Sequence, residues 1–470
     1  MLLTRSAQLQ KTLLPVLACL ICGGGRLAGQ QVKMAPEGPS STPQENPAAL
    51  TLDDLEKMAL AHNPTLAEAQ AGVRVSEGRK VQSHLYPNPT VGYAGREING
   101  NPIYRWGEHG FFIEQPIVTA GKLGLNRQVS AAEEDQAKSA AAIQRDRVIN
   151  AVRIAYYRVL GAQQRVELKG ELEDLAHGAA ATAGQLANVG QADQPDVLQA
   201  RVEAGRAHLE LMAARTEQER AWQELVASVG DPSLPVAALA GKLDDGLPEI
   251  DRNQALAQTL NSSPEIQAAT AAVTRAEAGL KRAQAAKFPD IELRGGLAYN
   301  RELLNVMGSP VGWEGEAQVG LQIPIFNRNQ GNTQAADAEL ERARQELERV
   351  KLALRARFAS LFRDYADAHD ALHQYRDQML PDAQKAYDLY LGKYRQMAAA
   401  YPQVLIAQRT LLQLRVEYTQ ALVREWESAI AIQGYLLTDG LAAPPAAGQS
   451  AITMPGISAV PETRVPVNAN

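Results

Sequence analysis

The chain has 470 residues, a net charge of −6, 5% aromatic residues, and two cysteines, Cys19 and Cys22, both close to its start. The acidic balance argues against a nucleic-acid-binding protein, and the cysteine placement excludes a disulfide scaffold or a Cys-ligated zinc site in the body of the chain. Apolar residues never run unbroken for the roughly 18 positions that a membrane-spanning helix needs.

Residues 1–29 read as an export signal, with Arg5 and Lys11 preceding the apolar run Leu13–Cys22. Val16-Leu17-Ala18-Cys19 resembles a lipobox and makes Cys19 a candidate lipid anchor. Ordinary cleavage near Ala28 or Gly29 is the alternative, and both routes stay open. Residues 30–50, rich in Pro, Ser and other polar residues, are expected to form a flexible tether.

Beyond the tether the chain is one unit written twice. Asn63-Pro64 is answered by Ser263-Pro264, Tyr86-Pro87 by Phe288-Pro289, Gln115-Pro116-Ile117 by Ile323-Pro324-Ile325, and Pro195-Asp196-Val197-Leu198 by Pro402-Gln403-Val404-Leu405. The offsets drift only from 200 to 208 residues, which alanine-rich helices alone would not produce. Residues 51–230 and 251–438 are therefore read as two repeats, joined by a linker at 231–250 and followed by a Pro/Ala-rich tail at 439–470.

Each repeat reads helix, two strands, very long helix, sharp turn, helix. In the first long helix Val148, Val152, Ala155, Val159, Ala162 and Val166 recur in coiled-coil steps, and after a phase slip the seam resumes from Leu168 to Val189. The second carries Leu354, Phe358, Leu361, Tyr365, Ala368, Leu372, Tyr375 and Met379. A helix from Leu123 to Val189 would run about 100 Å, more than any compact domain holds.

Between the helices the apolar period changes to two. Trp313, Val319, Leu321, Ile323 and Ile325 alternate with Glu314, Glu316, Gln318 and Gln322, and Ile291, Leu293, Leu297 and Tyr299 do the same against Glu292, Arg294 and Asn300. One greasy and one wet face suits a transmembrane barrel, with strands beginning near Thr90, Tyr104, Asp290 and Trp313. The Tyr104 strand is the weakest, because Gly107, Glu108, His109 and Gly110 interrupt its alternation. Four strands cannot close a barrel, and an open edge does not persist in lipid. Closure therefore needs several chains: two would give about eight strands with a filled interior, three about twelve with room for a pore.

The duplicated module, the Asn63-Pro64 and Ser263-Pro264 starts, Tyr86-Pro87-Asn88-Pro89, the run from Glu114-Gln115-Pro116-Ile117 to Gly121-Lys122, and the two Pro-x-Val-Leu turns resemble the TolC-type outer-membrane factors over roughly residues 51 to 438. Within that family the YPNP and QPI-x-x-x-GK elements are most similar to the branch serving cobalt–zinc–cadmium efflux. The resemblance implies a mainly α chain with a membrane β-barrel: a homotrimer with a 12-stranded barrel in the outer membrane of a Gram-negative bacterium and an α-helical tunnel through the periplasm. It further implies a periplasmic adaptor (membrane fusion) protein and an inner-membrane RND-type pump as partners, with outer-membrane lipid around the barrel. The function it implies is a passive exit duct for heavy-metal cations. A drug-efflux or type I secretion channel is the alternative, followed by a soluble periplasmic coiled-coil scaffold, which leaves the amphipathic strands unexplained.

The family binds adaptor hairpin tips at the turns ending its long helices, which places docking at Asn188, Val189 and Gly190 and at Tyr394, Arg395, Gln396 and Met397. Met397 stands where the family has Gly, so the two grooves are expected to be unequal. Family gate carboxylates follow the second turn, yet the matching positions here are Gln403 and Ile406. The acidic residues lie instead near the first turn, Asp193 and Asp196, and together with Gln403 they are the gate candidates. Asp at a helix start also serves as a plain cap.

No catalytic residue, cofactor or metal site is assigned, since no H-E-x-x-H, G-x-S-x-G, Walker loop or post-strand G-x-G-x-x-G is found. The chain is expected not to be an enzyme. His369 and His373 share a helix face four residues apart, a spacing that can hold a metal. They are read as solvated surface, because Leu372 and Tyr375 take the packing positions.

Overall fold

The structure is a computed structural model, and it describes residues 49–98, 107–189, 193–303, 308–396, 398 and 401–445. The export signal, the tether up to residue 48, Cys19, Gly190 and Met397 lie outside the described residues.

Each repeat opens with two helices broken by proline. Thr51 caps α1 (Leu52–His62) in a reciprocal box with Asp54. Asn63 then ends α1 and caps α2 (Pro64–Ser83), its side chain accepting from Thr65 N at 3.0 Å, with Pro64 in the first helical position where no N–H is needed. The second repeat does the same with α5 (Arg252–Ser262), Ser263 and α6 (Pro264–Ala285). The Asn-Pro and Ser-Pro landmarks are thus helix boundaries with their own caps.

The strands β1 (Thr90–Arg96), β2 (Glu108–Ile117), β3 (Ile291–Leu303) and β4 (Pro310–Leu321) form a single antiparallel sheet in the order β1-β2-β3-β4. The repeats meet at β2 and β3, where Phe111 faces Leu297 and Ile117 faces Ile291. The second strand includes Glu108, His109 and Gly110, which interrupt its apolar alternation, because a Cβ at Gly110 would strike Leu297 O and only glycine lets β3 come so close. Tyr104, near which it is expected to begin, lies outside the described residues. One sequence expectation is corrected here. β4 begins earlier than expected, at Pro310, and ends at Leu321. Ile323 and Ile325 leave the ladder around Pro324, which has no N–H to give it.

From the sheet each repeat returns through a long helix: α3 (Lys122–Asn188, 67 residues) to α4 (Gln194–Val229), and α7 (Gln330–Gln374) through a π-helical turn and α8 (Leu380–Arg395) to α9 (Tyr401–Gln433). The α3 start is pinned across repeats. Gly121 adopts φ +66°, and the buried Lys122 ammonium donates to Asp290 Oδ1 at 2.9 Å, an atom that also accepts Thr119 N at 2.8 Å. The glycine-lysine pair therefore works as a joint between helix and sheet.

The first seam is buried as expected, with Val148, Val152 and Val159 at 0% exposure. They pack with Leu225 and Val229 of α4, Leu422 and Trp426 of α9, and Leu55 of α1. Beyond Leu168 the seam is only half-buried, and Val189, expected within it, is 69% exposed. The second seam runs from Leu354 to Leu372 and then stops, leaving Met379 exposed. The cause is Pro381, which cannot donate to the carbonyl four residues back. The ladder widens to a π turn over Tyr375–Met379, in which Leu380 N donates to Tyr375 O.

Residues 231–250 lie against the middle of the helices. Trp426 Nε1 donates to Leu243 O at 2.9 Å and Tyr365 OH to Pro248 O at 3.0 Å, while Tyr418 OH donates to Asp244 Oδ1 at 2.9 Å. Burial, reinforced by Asp244, pushes the Tyr418 phenol up to about 12. The start of the tail is held as well, since Asn150 Nδ2 donates to Leu437 O at 2.7 Å and Gln144 Nε2 to Gly440 O at 3.0 Å.

Candidate functional site

Two regions carry chemistry suited to a conduit: the sheet and the far turns of the helix pairs. On the sheet the alternation separates two surfaces. Val91, Tyr93, Phe111, Ile113, Leu293, Leu297, Trp313 and Val319 all share one face by register, and every one is exposed, Trp313 and Val319 at 75% and 73%. The opposite face is charged. Arg96 Nη2 donates to Glu316 Oε1 at 2.6 Å, Asn300 bridges Glu108 and Glu314, and the Arg294 guanidinium lies 4.0 Å from the Phe112 ring centroid. A contiguous apolar face of this size is not stable in water, and nothing else in the chain packs over it among the described residues. No helix among the described residues is long and apolar enough to cross a membrane.

At the far end, α3 stops at Asn188 and α4 starts after Asp193. Asp193 holds the N-cap position with extended backbone, yet its side chain makes no capping bond, and its carbonyl accepts Asp196 N at 3.1 Å. Asp196 sits in the first helical turn and is exposed. The plain cap position thus belongs to Asp193, and Asp196 interacts with the helix start through charge alone. In α9 the matching Gln403 is exposed too, while Val197 and Val404, the apolar members of the two Pro-x-Val-Leu runs, are buried at 4% and 3%. The proline starts the helix and the valine anchors it, which leaves residues 196 and 403 facing out.

Tyr394 and Arg395 close α8, and Gln396 N donates to Gly392 O at 3.2 Å in its C-cap. Between the last turns of α3 and the first of α4 lies a groove of about 540 Å³, lined by Ala180, Ala181, Gly184 and Ala187 on one wall and Gln194, Val197 and Arg201 on the other. The two return helices are tied near this end by Arg409 Nη1, which donates to Glu203 Oε2 at 3.0 Å. Neither the groove nor the tie is evident from the sequence. The small residues at 180–187 are the available signal, and they look like ordinary seam.

The histidine pair is also placed differently from the sequence reading. His369 is not plain solvated surface: Tyr365 stacks on it with ring centroids 5.6 Å apart, and its Nδ1 lies 2.9 Å from the buried carboxylate of Glu425. No group of three or more His, Cys, Asp or Glu side chains is gathered for a metal ion among the described residues.

The family model for the outer membrane efflux protein matches residues 55–231 and 255–435. The cobalt-zinc-cadmium resistance protein CzcC of Cupriavidus metallidurans is 26% identical over 394 residues, covering 84% of this chain and 91% of that protein. Among solved structures, the outer-membrane channel OprN is similar at a TM-score of 0.66 and 20% identity, over 84% of this chain and 91% of that one. The open-state MtrE outer-membrane channel of Neisseria gonorrhoeae is similar at 0.66 and 16% identity, over 83% and 89%. Both structural likenesses concern the fold.

Proposed function

The chain belongs to the outer membrane efflux protein family, and on that footing we propose that it is the exit duct through which a three-part export system discharges divalent heavy-metal cations. As a member of this family it is an outer-membrane channel reaching into the periplasm, and not an enzyme.

The observation that carries the proposal is the sheet with one apolar, uncovered face and one charged face. Its outer strands, β1 and β4, each lack a second partner strand among the described residues, and it is continuous with helices of up to 67 residues. In lipid its edges must pair, and three copies supply a ring of about twelve strands wide enough for a pore. The charged face then lines the passage and the apolar face meets lipid.

The cargo rests on the likeness to the cobalt-zinc-cadmium resistance protein over most of both chains. The partners are a periplasmic adaptor, received at the groove between α3 and α4 and at the turn after α8, and an RND-type inner-membrane pump that supplies selectivity and energy. Asp193 and Asp196 contribute the negative charge at the entrance that the second repeat, with Gln403, does not.

Complementation tests this reading. In a strain lacking only the outer-membrane channel of its cobalt–zinc–cadmium efflux system, this chain is expected to restore growth on zinc, cadmium or cobalt salts. Restoration of drug resistance alone, with metal sensitivity unchanged, would overturn the cargo.

A further inference from the structure

Away from the tip and the sheet, one cluster has no part in a passive duct. His369 and His373 bring their Nε2 atoms to 3.1 Å of each other, with ring planes 75° apart. Each ring has a carboxylate at its other nitrogen: His369 Nδ1 is 2.9 Å from Glu425 Oε1 on α9, and His373 Nδ1 is 3.3 Å from Asp377 Oδ2 in the π turn. Glu425 is 1% exposed, and its Oε2 makes no hydrogen bond among the described residues.

A carboxylate only accepts, so Glu425 keeps the hydrogen of His369 on Nδ1 and leaves Nε2 as a bare lone pair. Asp377 favours the same arrangement in His373. The guanidinium of Arg376, 3.0 Å from His373 Nδ1 and bonded to Asp377, favours the opposite tautomer, in which His373 Nε2–H donates to His369. In the first arrangement two lone pairs face each other across 3.1 Å, a gap that is stable only with something positive in it.

A cation held by two imidazole nitrogens at about 2.0–2.1 Å would subtend about 95–102° at this spacing, and a tetrahedral angle requires the rings to part by only about 0.2–0.3 Å. The side chains are 32% and 44% exposed, so water can complete the coordination. A buried carboxylate behind a histidine is the outer-shell partner that fixes ring orientation and strengthens the donor nitrogen. Tyr365, stacked on His369 and itself bonded to Pro248 O and Ile250 N, locks the ring from the other side.

We propose that His369 and His373 form a two-nitrogen site for a borderline divalent cation such as Zn2+ on the flank of the α7–α9 pair, with Glu425 orienting the first ligand. The inference rests on ring geometry and not on the cargo assigned to the duct.

The test is calorimetric titration of Zn2+ into the full-length chain purified metal-free in detergent. The wild type is expected to bind one Zn2+ per chain that is lost in the His369→Asn/His373→Asn double variant. Glu425→Gln is expected to keep the stoichiometry and weaken binding about tenfold. Should the double variant not fold, as judged by helical circular dichroism, the exposed position alone serves, and His373→Gln is expected to weaken Zn2+ binding at least about tenfold. Unchanged Zn2+ stoichiometry and affinity in whichever of these variants folds would overturn the site. Metal export by a wild type that shows no histidine-dependent Zn2+ binding would likewise remove this site while leaving the duct standing.

Discussion

Gly230 lies against the backbone of Asn63, so that a methyl group on it would come within 2.8 Å of Asn63 Cα. The same glycine ends α4 at φ +82°, and Asn63 Nδ2 donates to Ser228 O at 2.8 Å beside it. The break between α1 and α2 and the end of α4 are one joint. Gly230→Ala is expected to cost about 2–4 kcal/mol, through positive φ and a clash with backbone that cannot move aside. Asn63→Ala, which loses a cap and one long-range bond, is expected to cost about 1–2 kcal/mol. Thermal melting of the helical signal in detergent measures both, and equal stability of Gly230→Ala and wild type would refute the joint.

A second expectation concerns acid. Glu134 on α3 is 6% exposed and takes Lys80 of α2 at 2.8 Å as well as Lys138 of its own helix. Hydrogen bonds from Lys138 and then Lys80 hold its carboxyl below the usual range, against the effect of burial. A depressed carboxylate gives stability that is present above the unfolded value, about 4.3, and is lost as pH falls through the folded one. Wild type should therefore lose melting temperature faster than Glu134→Gln below about pH 4. Parallel curves would show that the two lysines contribute nothing.

The two faces of the sheet should respond oppositely to charge. Phe111→Arg, on the uncovered apolar face at 72% exposure, is expected to cost about 2–4 kcal/mol in lipid and to reduce the protein recovered in outer-membrane fractions. Glu316→Gln, on the charged face, should insert normally. If both insert alike, the apolar face does not meet lipid.

Closure of the sheet by three chains is checked by chemical cross-linking in native membranes, where the ladder is expected to stop at three. A monomer that keeps its full strand content in detergent would contradict it, since β1 and β4 would then be open edges in an apolar medium.

The proposed role of Asp196 at the entrance predicts that Asp196→Asn weakens block of single channels by divalent cations while Gln403→Ala leaves it unchanged, because a ring of carboxylates would attract cations into a narrow throat. Unaltered block in Asp196→Asn would leave that residue with its helix-start charge as its sole role.

Much of this architecture is legible in the sequence because the informative residues act locally. Pro64 and Pro264 announce helix starts through their missing N–H, Val197 and Val404 are the buried members of their turns, and the strand alternation separates two faces without help from distant contacts. The features that escape a sequence reading depend on partners far along the chain. Gly110 reads as a strand breaker until β3 is seen pressing against it, and Glu425 cannot be linked to His369 across 56 residues by any spacing rule. Pro381 is visible just past the heptad seam that ends at Met379, but a proline by itself does not say whether the helix breaks there or widens into the π turn that is found. The candidate tip residues are identified by resemblance more than by physics. Their backbone settings can be anticipated, whereas the groove and the tie between Glu203 and Arg409 need two helices laid side by side.

The π turn gives the two halves of the chain different mechanical characters. One stave, α3, runs unbroken for 67 residues, while its counterpart is interrupted by the π turn at Tyr375–Met379. Beyond that turn each chain presents α3, α4, α8 and α9, so in a ring built from three such chains one stave in four is interrupted. A change of bore taken up at the π turns would bend those staves while the others hold the frame, so dilation would proceed by three coordinated bends and not by uniform swelling of the wall.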